Sequence, residues 1–259
     1  MKKGKKSPLK AKPLRNPGQS VEERYNTLFY DKILTPAVFV MVFVILAFFE
    51  WTSYLREIPR NPVLYTVMAL LAVIYFAVQV YRYLPELRQL RLGQDGEKAV
   101  GQYLERLRES GYQVFHDIIS QDGNIDHVLI GPAGVFTIET KTWSKPVRGK
   151  AVITFDGERI FANGYELERD PVGQAKAQAA WLKDQLSEST GKEFKVRPVI
   201  VFPSWFIKPD KNITPELWIL EPKALLKILR KQNDLLLSED VNLAGYHLSR
   251  IIRCSESVV

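Results

Sequence analysis

The sequence predicts an α/β domain with a mixed sheet, preceded by two apolar helices that span a membrane. Three observations carry this prediction. Two nearly uncharged apolar stretches lie within the first 84 residues. From about residue 87 onward, helical periodicity alternates with short runs rich in β-branched and aromatic residues. Helical patterns also lie before and after the strand patterns, which is typical of helices on both faces of a sheet.

The first 32 residues form a basic tail, predicted to be cytoplasmic. They hold nine Lys or Arg and three acids, and so account for six of the seven net positive charges. The rest of the chain is nearly neutral, which gives little support for a basic nucleic-acid-binding face on the folded part. Two roles stay open for the tail. It fixes the membrane topology, or it also lies on anionic lipid, where each basic residue contributes about 1 kcal/mol.

The segment 33–84 is predicted to hold two transmembrane helices, at about 33–55 and 62–83. Ile33–Phe49 has no charged residue, and Gln79 is the one strongly polar residue in Pro62–Tyr81. A helix needs about 20 apolar residues to cross a bilayer. Basic residues precede the first stretch and follow the second, so the positive-inside rule predicts a multi-pass cell-membrane protein whose N-terminus and C-terminal domain face the cytoplasm. A pair of buried core helices is the alternative.

The elements of the remaining domain, residues 87–259, follow in a clear order. A helix at 94–110 ends at Gly111, and the alternation of apolar residues after it predicts three strands. A hairpin turns at Asp156–Gly157. The predicted strands lie at 112–119, 125–130, 135–140, 196–202 and 218–220, and the later helices at 171–187, 221–231 and 239–252.

The stretch NIDHVLIGPAGVFTIETK, residues 124–141, places three ionisable side chains in otherwise apolar strands. A turn at Pro132–Ala133 would bring Asp126 directly opposite Glu139, with Cβ atoms about 4.5–5.5 Å apart. Lys141 lies two residues beyond Glu139, so its side chain returns to the same face. Like charges directly opposite one another are destabilising.

A hard divalent cation such as Mg²⁺ would neutralise such a pair of carboxylates. Bound metal polarises a phosphoryl oxygen, and the amine of Lys141 could neutralise charge that develops on a phosphate. This geometry favours metal-assisted hydrolysis of phosphodiesters. An ordinary ion network, in which Asp126 and Glu139 share Lys141, is the structural alternative.

Four motifs carry a resemblance to a known family. They are GQDGEKAVGQYL at 93–104, GYQVFHDI at 111–118, GNIDHVLIGPAGVFTIETKTW at 123–143 and DPVGQAKAQAAWL at 170–182. Over about residues 90–205 the chain resembles the NERD, or nuclease-related, domain. The order Asp126, then Glu139-Thr140-Lys141, is similar to the PD-(D/E)xK signature of restriction-endonuclease-like nucleases.

The resemblance implies an α-β-β-β-α-β core whose sheet ends form a metal site. It implies that Asp126 and Glu139 are metal-binding carboxylates and that Lys141 is the catalytic lysine. Glu97 matches an additional acidic position that some of these nucleases carry, and Gln174 matches a polar position on the second helix. The alternatives are that the helix dipole favours Glu97 near a helix start, and that Gln174 and Gln178 form a helix-surface pair.

These observations predict a membrane-anchored, metal-dependent nuclease that hydrolyses phosphodiester bonds of DNA or RNA. The expected cofactor is Mg²⁺ or Mn²⁺, and the expected partners are the membrane and nucleic acid, DNA more than RNA. A catalytically silent nucleic-acid-binding or scaffolding module is the first alternative. A purely structural membrane protein, in which the hairpin charges form a salt network, is the second.

Overall fold

The computed structural model divides the chain into two compact units. One unit contains Ser20–Leu92, and the other contains Gly93 onward together with the described residues up to Gln19. The first 12 residues, which hold six of the nine basic side chains of the predicted tail, lie outside the described residues. The structure describes residues 13–57, 61–120, 123–145, 149–167, 170–210 and 212–255.

The first unit is helical. Helix α1 covers Gln19–Phe29 and continues through a π-helical turn, Tyr30–Leu34, into α2, Thr35–Tyr54, while α3 begins at Pro62. Both helical stretches are long and apolar enough to cross a membrane, and only 6% of the most apolar window of each is buried. Trp51 Nε1 donates a hydrogen bond to Thr66 Oγ1 at 3.0 Å, which joins α2 to α3.

Helix α3, Pro62–Glu105, is one helix of 44 residues where the sequence predicts two. Pro85 lies inside it and removes one backbone hydrogen bond. Its neighbours Leu84, Glu86 and Leu87 are strong helix formers, so the helix continues past the proline. The boundary between the two compact units therefore falls within a helix, between Leu92 and Gly93.

The second unit is built on a five-stranded mixed sheet, as the sequence predicts. The order is β1-β2-β3-β7-β9; β1, β2 and β3 pair antiparallel, while β7 is parallel to both β3 and β9. The strands of this sheet are β1 (Gln113–Ser120), β2 (Gly123–Gly131), β3 (Gly134–Thr140), β7 (Val196–Val201) and β9 (Trp218–Leu220).

Helices cover both faces of this sheet. Leu104 of α3 and Leu225 of α5 (Pro222–Leu229) pack on one face against Phe136. Helices α4 (Pro171–Thr190) and α6 (Ser238–Ser255) pack on the other face. The result is a helix–sheet–helix sandwich with β2 and β3 inside the sheet.

A second, four-stranded sheet was not predicted. Its order is β6-β5-β4-β8, and its predicted part, the hairpin around Asp156–Gly157, pairs Phe155 with Ile160. The two outer strands are two residues long and carry no periodic signal of their own. The sequence predicts the arms of this hairpin at 147–155 and 159–165, and residues 147 and 148 of the first arm lie outside the described residues. The strands are β4 (Val152–Phe155), β5 (Ile160–Ala162), β6 (Tyr165–Glu166) and β8 (Phe206–Ile207).

Candidate functional site

The hairpin of β2 and β3 has the register that the Pro132–Ala133 turn predicts. Gly131 pairs with Gly134, and the ladder continues to the pair of His127 and Ile138. The next position of the same register places Asp126 opposite Glu139. Asp126 reaches across to β3, because its Oδ2 accepts a hydrogen bond from the backbone N–H of Thr140 at 2.7 Å.

Both carboxylate oxygens of Glu139 are bound by side chains. Lys141 Nζ lies 2.6 Å from Oε1, and Gln178 Nε2 donates to Oε2 at 2.6 Å. Lys141 Nζ also donates to Gln174 Oε1 at 2.9 Å, and Gln178 Nε2 to the carbonyl oxygen of Asn124 at 2.9 Å. Helix α4 thus holds Glu139 of β3 and the amine of Lys141, the residue after β3, through two glutamines one turn apart.

Glu97 reaches the same region from α3. The preceding residue, Gly96, lies so close to the side chain of Thr142 that a Cβ at this position would clash with it. Only glycine lets α3 approach the chain just beyond β3 at this distance. Burial, and then the negative charges of Asp117 and Glu139, raise the pKa of Glu97 to about 8, against the opposing charge of Lys141.

Asp126 shows the same electrostatic pattern. Burial, and then the charges of Glu139 and Glu97, raise its pKa well above the ordinary value, against the opposing effects of the Thr140 N–H and of Lys141. The charges of Glu139 and Glu97 thus disfavour the ionised form of Asp126, and the charge of Glu139 also disfavours the ionised form of Glu97. Such shifts mark a group of carboxyls that a bound cation would stabilise.

A comparison with known families identifies this part of the chain. Residues 92–203 match the family model described as the nuclease-related domain, NERD. This chain contains a nuclease-related domain. No curated protein and no solved structure matches the chain. The match covers α3 from Leu92, β1 to β7 and α4, and so includes each of the candidate site residues.

The donor atoms of the nuclease-related domain fit a divalent cation held by two carboxylates. Among the described residues, no group of three or more His, Cys, Asp or Glu side chains is placed to hold a metal ion. Mg²⁺ needs only one or two protein carboxylates, because water and substrate oxygens complete its coordination. Gln178 Oε1, beside Glu139, is also buried without a hydrogen-bond partner. Asp126 and Glu139 are thus the better candidates for metal ligands, and the charge of Glu97 adds to the negative potential at Asp126.

Lys141 does not bridge the two acids. Its amine pairs with Glu139 and Gln174, and Asp126 instead bonds to the backbone of β3. The structure therefore differs from the ion network in which Asp126 and Glu139 share one lysine. The site thus separates a lysine–glutamate pair from Asp126, whose partner among the described residues is the backbone N–H of Thr140.

Sequence reasoning missed the roles of Gln178 and Asp117. Gln178 is buried and bonded to Glu139, so a helix-surface pair with Gln174 is the wrong interpretation. Its spacing of four residues from Gln174 was the available signal, since it places both glutamines on one face of α4. The charge of Asp117 raises the pKa of Glu97, but no sequence pattern indicates this role. Only the pairing of β1 with β2 brings Asp117 near the site.

The histidines of the hairpin belong to a different cluster. His127 is fully buried, and its Nδ1 lies 2.8 Å from Nδ1 of His116. His116 Nε2 lies 2.8 Å from Glu105 Oε1. Burial lowers the pKa of both imidazoles. This pair joins β1, β2 and α3 on the side of the hairpin that Asp126 does not face.

Proposed function

We propose that the protein is a membrane-anchored, metal-dependent nuclease that hydrolyses phosphodiester bonds, with DNA favoured over RNA as substrate. The observation that carries this proposal is the placement of Asp126, Glu139 and Lys141 at one end of the hairpin inside a nuclease-related domain. The order α3, β1, β2, β3, α4, β7 supports a restriction-endonuclease-like α-β-β-β-α-β core.

Asp126 and Glu139 would hold Mg²⁺ or Mn²⁺, with Glu97 next to them. The bound ion would supply Lewis-acid polarisation of the phosphate. The chain itself orients the groups around that phosphate. Gln178 fixes the plane of the Glu139 carboxylate, and Gln174 directs the Lys141 amine, whose positive charge stabilises charge that develops on phosphate oxygens.

The two outward-facing apolar helices would form the membrane anchor. Their length, and the exposure of their apolar side chains, support membrane spans better than a soluble core, where such helices would be largely buried. The basic residues that flank the pair support a cytoplasmic N-terminus and a cytoplasmic nuclease-related domain.

The test is cleavage by the full chain purified in detergent, with DNA and RNA oligonucleotides in Mg²⁺, Mn²⁺ or EDTA. We expect metal-dependent cleavage that Asp126→Ala and Lys141→Ala abolish. Lys145→Ala, an exposed lysine four residues further on, should keep full activity. Cleavage that persists in Asp126→Ala would come from a contaminating nuclease and would remove the assignment.

A binding module without catalysis is the second candidate. It is favoured by the engagement of both Glu139 oxygens, which a metal would have to displace in part. In that case the wild-type chain binds oligonucleotides equally in Mg²⁺ and in EDTA and gives no cleavage product. Gel-shift and cleavage measurements on the same samples separate the two functions.

A further inference from the structure

Residues 13–19, which end at the first residue of α1, pack on the nuclease-related domain and belong to the same compact unit. Pro17 lies against Gly101 of α3, where a Cβ would come within 2.6 Å of Pro17 Cγ. The next residue, Gly18, has φ 68° and turns the chain beside Gln94. The sequence alone assigns these residues to a basic tail, whereas the structure seats them on the domain.

Arg15 of this segment is buried. Its side chain is 7% exposed, and its Nε lies 2.5 Å from Oδ2 of Asp117, whose side chain is 1% exposed. A buried charge is costly unless it is paired, and removing one partner leaves the other uncompensated. This buried ion pair therefore ties the segment to β1 of the domain.

Asp117 occupies an unusual position in β1. The strand pairs His116 with His127 and Ile118 with Ile125, but Asp117 between them has φ 50° and lies outside the ladder. Aspartate tolerates this left-handed conformation better than most residues, yet such positions are uncommon and cluster at functional sites. The register of β1 and β2 makes Asp117 the neighbour of Asp126.

Asp117 also contributes to the electrostatics of the site, because its negative charge raises the pKa of Glu97. A row of acids thus runs across three strands, from Asp117 on β1 to Asp126 on β2 and Glu139 on β3. Lys141 neutralises one end of the row, and Arg15 neutralises the other.

We infer that residues 13–19 are part of the catalytic unit and that Arg15 is a positioning residue, which holds Asp117 in its left-handed conformation and thereby fixes β1 alongside Asp126. This inference rests on the proposed function. Arg15 is buried and paired, so it acts through Asp117 and not by contact with nucleic acid. Loss of Arg15 should loosen Asp126 and weaken the metal site without changing how the substrate is bound.

The experiment uses the full chain in detergent and compares Arg15→Gln with Arg24→Gln. Arg24 is a matched control, since it lies in the same basic region but forms an exposed pair with Glu86. Three quantities are measured below the melting temperature: Mn²⁺ affinity, kcat and KM for an oligonucleotide. We expect Arg15→Gln to lower Mn²⁺ affinity and kcat by about 10- to 100-fold with KM unchanged. Arg24→Gln should match the wild type.

A second pair of variants moves the segment without changing any charge. Gly101→Ala places a methyl group against Pro17, whereas Gly93→Ala, on the same helix, meets no atom within 4 Å. Gly101→Ala should weaken Mn²⁺ binding as Arg15→Gln does, and Gly93→Ala should not. The double variant Arg15→Gln/Asp117→Asn should recover part of the lost affinity, because it also removes the buried negative charge that Arg15 offsets.

The outcomes separate this inference from the proposed function. If Arg15→Gln and Gly101→Ala lower only the melting temperature, Arg15 is merely stabilising and the inference is wrong. An increase in KM with kcat unchanged would mean that Arg15 contacts substrate, which also overturns it. If the wild type binds Mn²⁺ but cleaves nothing, while both variants lose Mn²⁺ affinity, the proposed function fails and the positioning role stands. A wild type that neither binds Mn²⁺ nor cleaves overturns both.

Discussion

Gln178 fixes Glu139 from outside the hairpin, and its loss should be measurable. Gln178→Ala removes the donor to Glu139 Oε2 and the donor to the Asn124 carbonyl. We expect activity to fall about 10- to 100-fold, since the partners of metal-binding carboxylates usually have effects of this size. The free energy of unfolding should fall by about 1–3 kcal/mol.

Gln185→Ala is the matched control for Gln178→Ala, because Gln185 lies on the same helix and forms no hydrogen bond with Glu139. Cleavage rates and thermal unfolding of the two variants provide the measurement. Equal activity of Gln178→Ala and the wild type would show that Glu139 needs no support from α4.

Glu97 makes stability depend on pH in a defined direction. Its pKa is raised on folding from 4.5 to about 8, so the folded protein binds this proton more tightly than the unfolded chain. The contribution to stability is present below about pH 4.5 and is lost as the pH rises to about 8. The melting temperature of the metal-free protein should therefore fall across this range, and Asp126 should act in the same direction.

Glu97→Gln should flatten that dependence and raise the melting temperature at the upper end of the range. Glu109 is exposed and lies shortly after the end of α3. Glu109→Gln should therefore leave the pH dependence of the melting temperature unchanged. Thermal unfolding followed by circular dichroism in EDTA gives the measurement. Parallel curves for wild type and Glu97→Gln would contradict a buried, protonated Glu97.

At the scale of single elements, helix α4 depends on its first residues. Asp170 is its N-cap and accepts hydrogen bonds from the backbone N–H groups of Val172 and Gly173. Asp170→Ala should lower the free energy of unfolding by about 1 kcal/mol and loosen the turn that carries Gln174. Asp184→Ala, in the exposed middle of the same helix, should change stability by less than about 0.5 kcal/mol. Chemical denaturation followed by tryptophan fluorescence measures both.

The elements that the sequence predicts well carry their own local signals. The Pro132–Ala133 turn sets the register of β2 and β3, and Gly191, with φ 71°, ends α4 near the predicted residue. The elements that it misses depend on distant partners. The continuity of α3 through Pro85 and the two-residue strands β6 and β8 depend on packing that no local pattern encodes.

The same distinction applies to the site. The alternation of β2 and β3 is enough to bring Asp126, Glu139 and Lys141 together on one face. The contact of Gln178 with Glu139 depends on how α4 packs, and the burial of Arg15 depends on a residue 102 positions away in the chain. Charge counting assigns Arg15 to the basic tail, because it cannot detect the buried carboxylate of Asp117.

At the scale of the whole molecule, the proposed topology can be tested through Cys254, the one cysteine of the chain. It is exposed near the end of α6. If the C-terminal domain is cytoplasmic, a membrane-impermeant maleimide should label Cys254 only after cells are permeabilised. Cys254→Ser/Asn61→Cys moves the thiol to the segment between α2 and α3, which should be labelled in intact cells. Labelling of Cys254 but not of the cysteine at position 61 in intact cells would mean that the topology is the reverse of the proposed one.

The strand order also shows that the chain should not be cut at the end of the family match. The family match ends at residue 203, yet β9 lies beyond it and pairs with β7 along Val199, Ile200 and Val201. A recombinant fragment cut at the family boundary would leave an apolar edge strand with unsatisfied backbone groups, which is a template for aggregation. Soluble preparations should therefore continue through Ser255, where α6 ends.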